Sequence, residues 1–554
     1  MRRTQSGYLL ASPLILLVAM LLVLPIGTFL VYSFLTPGQY RVSLPLTLDN
    51  YRQAFTDRTY WRLMINSLRV GLTTAAVSTV LGYVLAYYAS FQTGKVKVTI
   101  LALTVVSILG GYLVRIYSWR IILGTEGVLN TALGSLGLTH NPFGFLLFSR
   151  SAVVLALVNI YIPFAALTIF AALENVGRDL IEAARDLGAG PGRTFTRVVL
   201  PLTGRAVFTG FVFVFLLTAA DYVTPQLIGG TSGAMIGVVV YDQFVRLGNW
   251  ALGAALSFYI VILFAVVLTV TWLALRVLGI LRRGVRSVKK HALGIVAWIL
   301  MIYLYLPVVV VLVFAFQGSG LLSLPFTGPS LRWFQFVVAE ESFRSALGSS
   351  LKVGVTSSIA AMLVGTLTGL AFTRYKLRFQ RLLETMAMAP IALPGLFIGL
   401  ALLAYFGRFS ISLSLLTVFL AHLLYVMPYV LIVTRNRLER FDVAIEEAAR
   451  DLGANAWQTF WKVTFPLTWT TVLASGILAF ALSFDEFLIT LFVIGSDSTL
   501  PIMMWSRMRR RIDPSINAVA AIIFCVFVAS LATAAALIWL RRSPAPHMEE
   551  GPSQ

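Results

Sequence analysis

Glu182-Ala183-Ala184-Arg185-Asp186-Leu187-Gly188-Ala189 is the stretch on which the architecture turns, because the chain contains it twice. It returns letter for letter as Glu447-Ala448-Ala449-Arg450-Asp451-Leu452-Gly453-Ala454, 265 residues later. Each copy is followed by a Thr-Phe pair (Thr194-Phe195, Thr459-Phe460) and a basic residue (Arg197, Lys462). Pro-Leu-Thr comes next in both (Pro201-Leu202-Thr203, Pro466-Leu467-Thr468). Both copies are polar islands in a very apolar chain. A polar loop present twice offers two equivalent surfaces, which suits a partner that is itself present twice.

The flanks repeat as well. Ser67-Leu68-x-Val70-Gly71 returns as Ser350-Leu351-x-Val353-Gly354, and Pro163 and Pro428 lie at equal distances before the two loops. The chain is therefore a tandem repeat. Of its 554 residues, 58% are apolar and only 12% charged, where a soluble protein carries about a quarter. The apolar residues form runs of about 20, the length a helix needs to cross a bilayer. The runs are continuous rather than alternating, which excludes a membrane barrel. Spans are expected near 9–32, 67–90, 98–119, 151–172, 202–224 and 251–275, then near 292–316, 350–373, 383–405, 413–434, 469–493 and 516–540. The predicted fold is an all-α polytopic membrane protein with about 12 transmembrane helices in two tandem six-helix halves. The halves are 1–275 and 291–554, joined by a basic linker at 276–290. The first run, Leu9 to Tyr32, is too long for a signal-peptide core and reads as a retained span.

The formal net charge of +20 reads as loop bias rather than nucleic-acid binding. Basic residues at 95–97, 276–290, 374–381 and Arg541-Arg542 fall on one side if each half has six spans. By the positive-inside rule that side is the cytoplasm. Both Glu-Ala-Ala loops and both termini then lie there. Arg507, Arg509, Arg510 and Arg511 run against the pattern, since they fall on the outer side. The single cysteine, Cys525, permits no internal disulfide. His140, His291, His422 and His547 are scattered, so no metal site is expected.

Within each loop the grammar is a short helix with a stop. Asp179 is placed to cap the first, with Glu182 three residues on as a capping-box partner. Asp442 is placed to cap the second. Ala183-Ala184 and Ala448-Ala449 keep one side small, so another protein can approach the backbone. Gly188 and Gly453 permit the left-handed residue that ends a helix. Pro201 and Pro466 suit the first turn of the next span.

The Glu-Ala-Ala-x-x-x-Gly core, with Leu200-Pro201 or Phe465-Pro466 twelve to thirteen residues beyond the glycine, resembles the signature loop of membrane permeases of binding-protein-dependent ABC importers. The resemblance covers nearly the whole chain, once per half. It implies that the loops form coupling helices seated on two copies of a cytoplasmic ABC ATPase. The coupling residues it marks are Glu182, Ala183, Ala184, Asp186, Gly188 and Pro201, with Glu447, Ala448, Ala449, Asp451, Gly453 and Pro466. It also implies an extracytoplasmic solute-binding protein. Members usually pair two separate permease subunits, and here both are fused. Asp221-Tyr222-Val223-Thr224-Pro225-Gln226-Leu227-Ile228-Gly229-Gly230 resembles the first permease subunit of spermidine/putrescine importers. Ser483-Phe484-Asp485-Glu486-Phe487 resembles the second.

No Gly-x-x-x-x-Gly-Lys-Ser/Thr motif occurs in the chain. The expectation is a transport subunit without its own nucleotide site or cofactor, with ATP and Mg used by the partner. A carboxylate at the bilayer centre costs about 2.5–3.5 kcal/mol, so Asp221, Asp485 and Glu486 need a reason. Asp221 lies 20 residues after Pro201, roughly 30 Å along a helix. All three acids are expected towards the outer end of span five, or in a cavity reached from outside. One reading makes them hydrated helix-end carboxylates. The other makes them, with Tyr222, an acidic and aromatic lining for a di- or tri-cationic solute. Two alternatives stay open: the same importer class for ferric ion, phosphonate or an opine-like solute, and a secondary transporter of two six-span halves.

Overall fold

A computed structural model describes residues 2–108, 110–139, 142–277, 290–320, 326–510 and 513–540. Most of the linker (278–289), Arg511 and the tail with Arg541-Arg542 lie outside the described residues. The first half runs α1 (Ser6–Ser33), α2 (Arg58–Ser90), α3 (Gly94–Ile108), α4 (Tyr112–Leu123) and α5 (Arg150–Leu173). It continues with α6 (Arg178–Asp186), α7 (Pro191–Ala219), α8 (Ile236–Val245) and α9 (Trp250–Val277). The second half repeats this order with α10 (Lys290–Ala315), α11 (Glu341–Arg374), α12 (Gln380–Ala392), α13 (Gly395–Arg408) and α14 (Leu415–Glu439). It ends with α15 (Val443–Asp451), α16 (Ala456–Asp485), α17 (Leu500–Arg510) and α18 (Ser515–Leu540).

Among the described residues, nine helices are long and apolar enough to cross a membrane, or up to eleven if each bent pair is one span. The apolar α18, of 26 residues, closes the second half. The expected all-helical, two-half fold is what forms. Its one sheet among the described residues is a two-stranded hairpin of Leu35–Gly38 with Arg41–Leu46, in the polar stretch after α1.

The repeat is visible in single hydrogen bonds. Ser67 Oγ accepts the Ile236 amide at 2.9 Å, and Ser350 Oγ accepts the Leu500 amide at 2.9 Å. A hydroxyl from α2 or α11 thus satisfies a free N–H at the start of α8 or α17, where helices always leave donors unpaired. The halves also embrace. α1 packs on α11 and α13 of the other half, and α10 packs on α2 and α4. The two halves are therefore contiguous in sequence but interlocked in space.

Three expectations about the spans are corrected. The run 98–119 is not one helix: α3 and α4 meet at 89°. Gly111 there has φ +70°, a left-handed backbone that ends the helix and that L side chains resist. The run 383–405 is likewise α12 and α13 at 106°. Pro394 has no N–H to continue the ladder, and it pushes Leu393 to an extended φ −87°, ψ 137°. Span five also stops early, with α7 ending at Ala219 and α16 at Asp485 rather than at 224 and 493.

Two of the arginines that run against the charge bias, Arg507 and Arg509, have local partners. Arg507 pairs with Glu340 and donates to Ser515 Oγ at 3.0 Å. Arg509 donates to Tyr241 Oη at 3.3 Å and lies over the Trp505 ring.

Candidate functional site

The acids meet where both fifth spans stop. Asp221, just beyond α7, is buried. Its Oδ1 accepts the Val223 amide at 2.9 Å and the Tyr112 hydroxyl at 2.6 Å. Its Oδ2 is buried without a hydrogen-bond partner. Glu486, 265 residues later, does the same work with a longer arm. It accepts the Ile489 and Thr490 amides at 2.9 Å each, and the Thr490 hydroxyl at 2.9 Å. Both carboxylates satisfy amides that a stopped helix would leave unpaired. This is why spans end there, and it gives these two acids a structural task.

Asp485 differs. Its repeat counterpart is Ala220, so it supports no shared backbone feature. Its Oδ2 accepts the Tyr112 amide at 3.0 Å. Tyr112, first residue of α4, therefore touches an acid from each half: Asp221 through its phenol and Asp485 through its backbone. Tyr222 lies away from this junction, fully buried and stacked on Tyr241 with centroids 5.1 Å apart. Phe492 and Trp505 cover it from the second half.

Three residues here escaped the reading of the sequence. Tyr112 carries no charge and sits in an apolar run. Arg115 is buried, donating to the Ile108 carbonyl at 3.0 Å and the Ile160 carbonyl at 3.4 Å, with Nε unpartnered. A cation inside an expected span was a signal in plain view. His422 bridges Ser483 Oγ and Thr490 Oγ1 at 2.7 Å each, with Nε2 3.6 Å from Glu486.

Beyond this layer α14 presents Tyr425 and Tyr429, rings 6.1 Å apart. The same helical stripe continues as Ile432, Asn436 and Glu439. These last three line a cavity of about 770 Å³ that also takes in Glu384, Met388 and Arg435 from α12 and α14. Arg435 spans Glu384 and Glu439 at 3.1 and 2.7 Å. Glu439, one of its lining residues, is the last of α14, and α15, the second Glu-Ala-Ala helix, follows in the chain.

Both Glu-Ala-Ala segments are nine-residue helices with the same stop. Gly188 has φ +77° and Gly453 φ +87°. Gly188 donates to Arg185 O and Ala189 to Ala184 O; Gly453 and Ala454 repeat the pair. That is the Schellman arrangement, which needs a left-handed residue at this point. Pro201 and Pro466 do not open their spans as expected: they lie inside α7 and α16, at the second residue of the α-helical stretches Leu200–Ala219 and Phe465–Asp485, directly after five π-helical residues, so the missing N–H falls at a change of helical register. The starts differ from expectation at one copy. Asp442 caps α15 by accepting the Ala444 amide at 3.0 Å. In α6 the cap is Gly177 and Asp179 lies inside the first turn, so no capping box forms with Glu182. There Asp179 opposes the helix dipole only through its charge.

Glu182, Ala183, Asp186, Glu447, Ala448 and Asp451 are exposed, while Ala184 and Ala449 are half-buried. Leu187 and Leu452 are 89% and 90% exposed. Leu180 and Ile445, also at matching positions, are half or nearly half exposed. Large apolar side chains are thus held out at the same places of both helices.

A sequence profile described as binding-protein-dependent transport system inner membrane component matches residues 98–287 and again 358–543. The spermidine/putrescine transport system permease protein PotB of Escherichia coli (strain K12) is 35% identical over 248 residues, 45% of this chain and 90% of that protein. The putrescine transport system permease protein PotI of the same organism is 32% identical over 229 residues, 40% of this chain and 81% of its own length. A crystal structure of a bacterial alginate ABC transporter, in complex with an alginate pentasaccharide-bound periplasmic protein, aligns with a TM-score of 0.42. It is 18% identical and covers 51% of this chain and 98% of that one.

Proposed function

This chain belongs to the binding-protein-dependent transport system inner membrane components, with two copies of the family's domain in one polypeptide, and from that premise we propose that it imports polyamines such as spermidine and putrescine. It is a multi-pass permease component of an ABC importer. In this reading the chain hydrolyses nothing: ATP and Mg belong to two ATPase subunits docked on α6 and α15 at the cytoplasmic face. The observation that carries the docking is the pair of leucines, Leu187 and Leu452, held almost fully exposed at one position of a duplicated helix. An extracytoplasmic solute-binding protein delivers the solute to the opposite face of the inner membrane. Both termini then lie in the cytoplasm.

The polyamine assignment draws on the likeness to PotB and PotI and on the chemistry of the acid layer. Buried Asp221 and Glu486 and half-buried Asp485 gather carboxyl groups at the stops of both fifth spans, where a multiply protonated solute gains most from them. Tyr222, next to Asp221 in the chain, packs within its aromatic cluster of Tyr241, Phe492 and Trp505. The solute leaves through the cavity beneath Tyr429, past Glu384 and Glu439. Closure of the ATPase pair draws α6 and α15 together, and the attached spans alternate the exposure of the acid layer.

The test is uptake into proteoliposomes holding the permease with its ATPase and binding protein. Putrescine, spermidine, ferric ion and 2-aminoethylphosphonate are compared with and without ATP. ATP-dependent polyamine uptake is expected. Its absence, with uptake of another member of the panel, replaces the substrate and leaves the importer. Glu182→Arg with Glu447→Arg is expected to abolish ATPase co-purification while the permease still inserts. Retained association overturns the docking role.

A further inference from the structure

Tyr112 is the one described residue seen to bond an acid of each half at this layer. Its hydroxyl donates to Asp221 Oδ1 at 2.6 Å and its amide to Asp485 Oδ2 at 3.0 Å. The amide is free to do so because the helix breaks at Gly110-Gly111, leaving the first N–H groups of α4 without helical partners. Two carboxylates, one from each fifth span, are thus held by two donors on one side chain and its own backbone. By standard bond lengths those donors stand roughly 6–7 Å apart. The two ammonium groups of an extended four-carbon diamine are separated by about the same distance. Asp221 Oδ2 remains buried and unpartnered, an acceptor that the resident donors leave unused.

We propose that Tyr112 is an internal stand-in for the solute: it ties the halves by occupying the two carboxylates that an α,ω-diamine takes during transport. The inference rests on the polyamine reading and adds to it a residue and a geometry. The arriving diamine exchanges charged donors for neutral ones at both acids. A hydrogen bond with one ionised partner is about twice as strong as a neutral one, and a cationic donor adds to it the Coulomb attraction of a second charge. The exchange frees Tyr112, and with it the connection between α4 and both fifth spans. An empty transporter therefore holds itself shut, and the solute that opens it is the one whose charge spacing matches the tie.

Tyr112→Phe removes the phenol donor and keeps ring, volume and backbone amide. In the complete complex with its ATPase and binding protein, solute-independent ATP hydrolysis should rise roughly tenfold. That is the change expected for one hydrogen bond to a charged acceptor. The putrescine concentration for half-maximal stimulation should fall, because the tie no longer competes. Asp221→Asn keeps an acceptor for the phenol but loses the charge, and should lose putrescine stimulation. Unchanged basal hydrolysis and unchanged half-saturation in Tyr112→Phe overturn the proposal. If no polyamine stimulates the wild-type complex, the polyamine reading fails. The basal rate of Tyr112→Phe then still decides the tie, since it needs no solute.

Discussion

Helix α6 sits against its half of the protein through Ile181, which packs in a small core with Val199, Leu173 and Phe91. Helix α15 has Glu446 at the matching position, and there the neighbours are polar. Glu446 takes a two-pronged bond from Arg374, Nε at 3.0 Å and Nη2 at 3.2 Å, and accepts the Thr464 hydroxyl at 2.9 Å. The repeat relates these residues one to one. Glu446 and Thr464 lie 265 residues after Ile181 and Val199, and Arg374 lies 283 after Phe91, the same step as Ser350 after Ser67. Three apolar positions in one half have become an ion pair and a hydroxyl in the other, all together. The exposed octapeptide is identical while the seat beneath it has been rebuilt. What faces outward is held constant, while what supports it differs in chemistry as a unit.

The two seats are expected to fail differently. A buried ion pair exchanged whole for packed apolar groups is often neutral in stability, whereas removal of one partner costs about 3–5 kcal/mol. Glu446 is only 3% exposed and Arg374 13%, so this pair counts as buried. Arg374→Ala should therefore lower the hydrogen-exchange protection of the α15 amides at least a hundredfold, the factor equivalent to about 3 kcal/mol. Protection of α6 should not move. The comparison is sharpened by the triple exchange Arg374→Phe, Glu446→Ile and Thr464→Val, which transplants the first seat. Recovery to within about 1 kcal/mol of the parent is expected. A triple variant as weak as Arg374→Ala breaks the equivalence of the seats.

The apolar seat should yield more gradually. Ile181→Ala removes three carbon atoms from a site at the edge of its cluster, and about 2 kcal/mol is expected, the low end for such truncations. The readout is the same exchange protection, now at α6. A cost above that of Arg374→Ala would mean that the first loop, not the second, is the more tightly specified of the two.

How much of this was legible in the sequence follows from what each feature depends on. The repeat, the spans and the two short Glu-Ala-Ala helices rest on local grammar: apolar length, and Gly188 and Gly453 after a short helix. Such signals act within one turn and need no knowledge of neighbours. The breaks at Gly110-Gly111 and Leu393-Pro394 carried local signals too, but continuous hydropathy masked them, since a bend changes no residue's polarity. The Asp179 cap failed by two residues because Gly177 begins the helix earlier. The acid layer was located by its charges, yet the task of each acid was not. Glu486 serves the amides of Ile489 and Thr490, whereas Asp485 beside it meets Tyr112, 373 residues away in the chain. Partners at that distance leave no trace in spacing. The seat exchange was hidden for the opposite reason: each of its residues is ordinary alone, and only the superposed halves reveal the set.

The same contrast recurs at the other ends of α2 and α11, at a smaller scale. Gln243 of α8 donates to Tyr60 Oη at 3.5 Å, a neutral contact. In the second half Arg507 of α17 bonds Glu340, with Ser342 Oγ 3.4 Å away. Burial alone would raise the Glu340 carboxyl, but the hydrogen bonds from Arg507 and Ser342 and the Arg507 charge hold it below its usual value. A depressed folded value means that the pair stabilises the protein above the ordinary glutamate range, near pH 4.3. That contribution is lost as the pH falls through the lower, folded value. Glu340 is about one-third exposed, so water screens the pair and its worth is under about 1 kcal/mol. Glu340→Gln should therefore lower the thermal midpoint only slightly at pH 7 and not at all near pH 3. Tyr60→Phe, at the neutral contact of the first half, should give a difference from the parent that is independent of pH over that range. An equal pH dependence at both sites would deny that the second half has exchanged neutral contacts for charged ones, and would confine that exchange to the seat of α15.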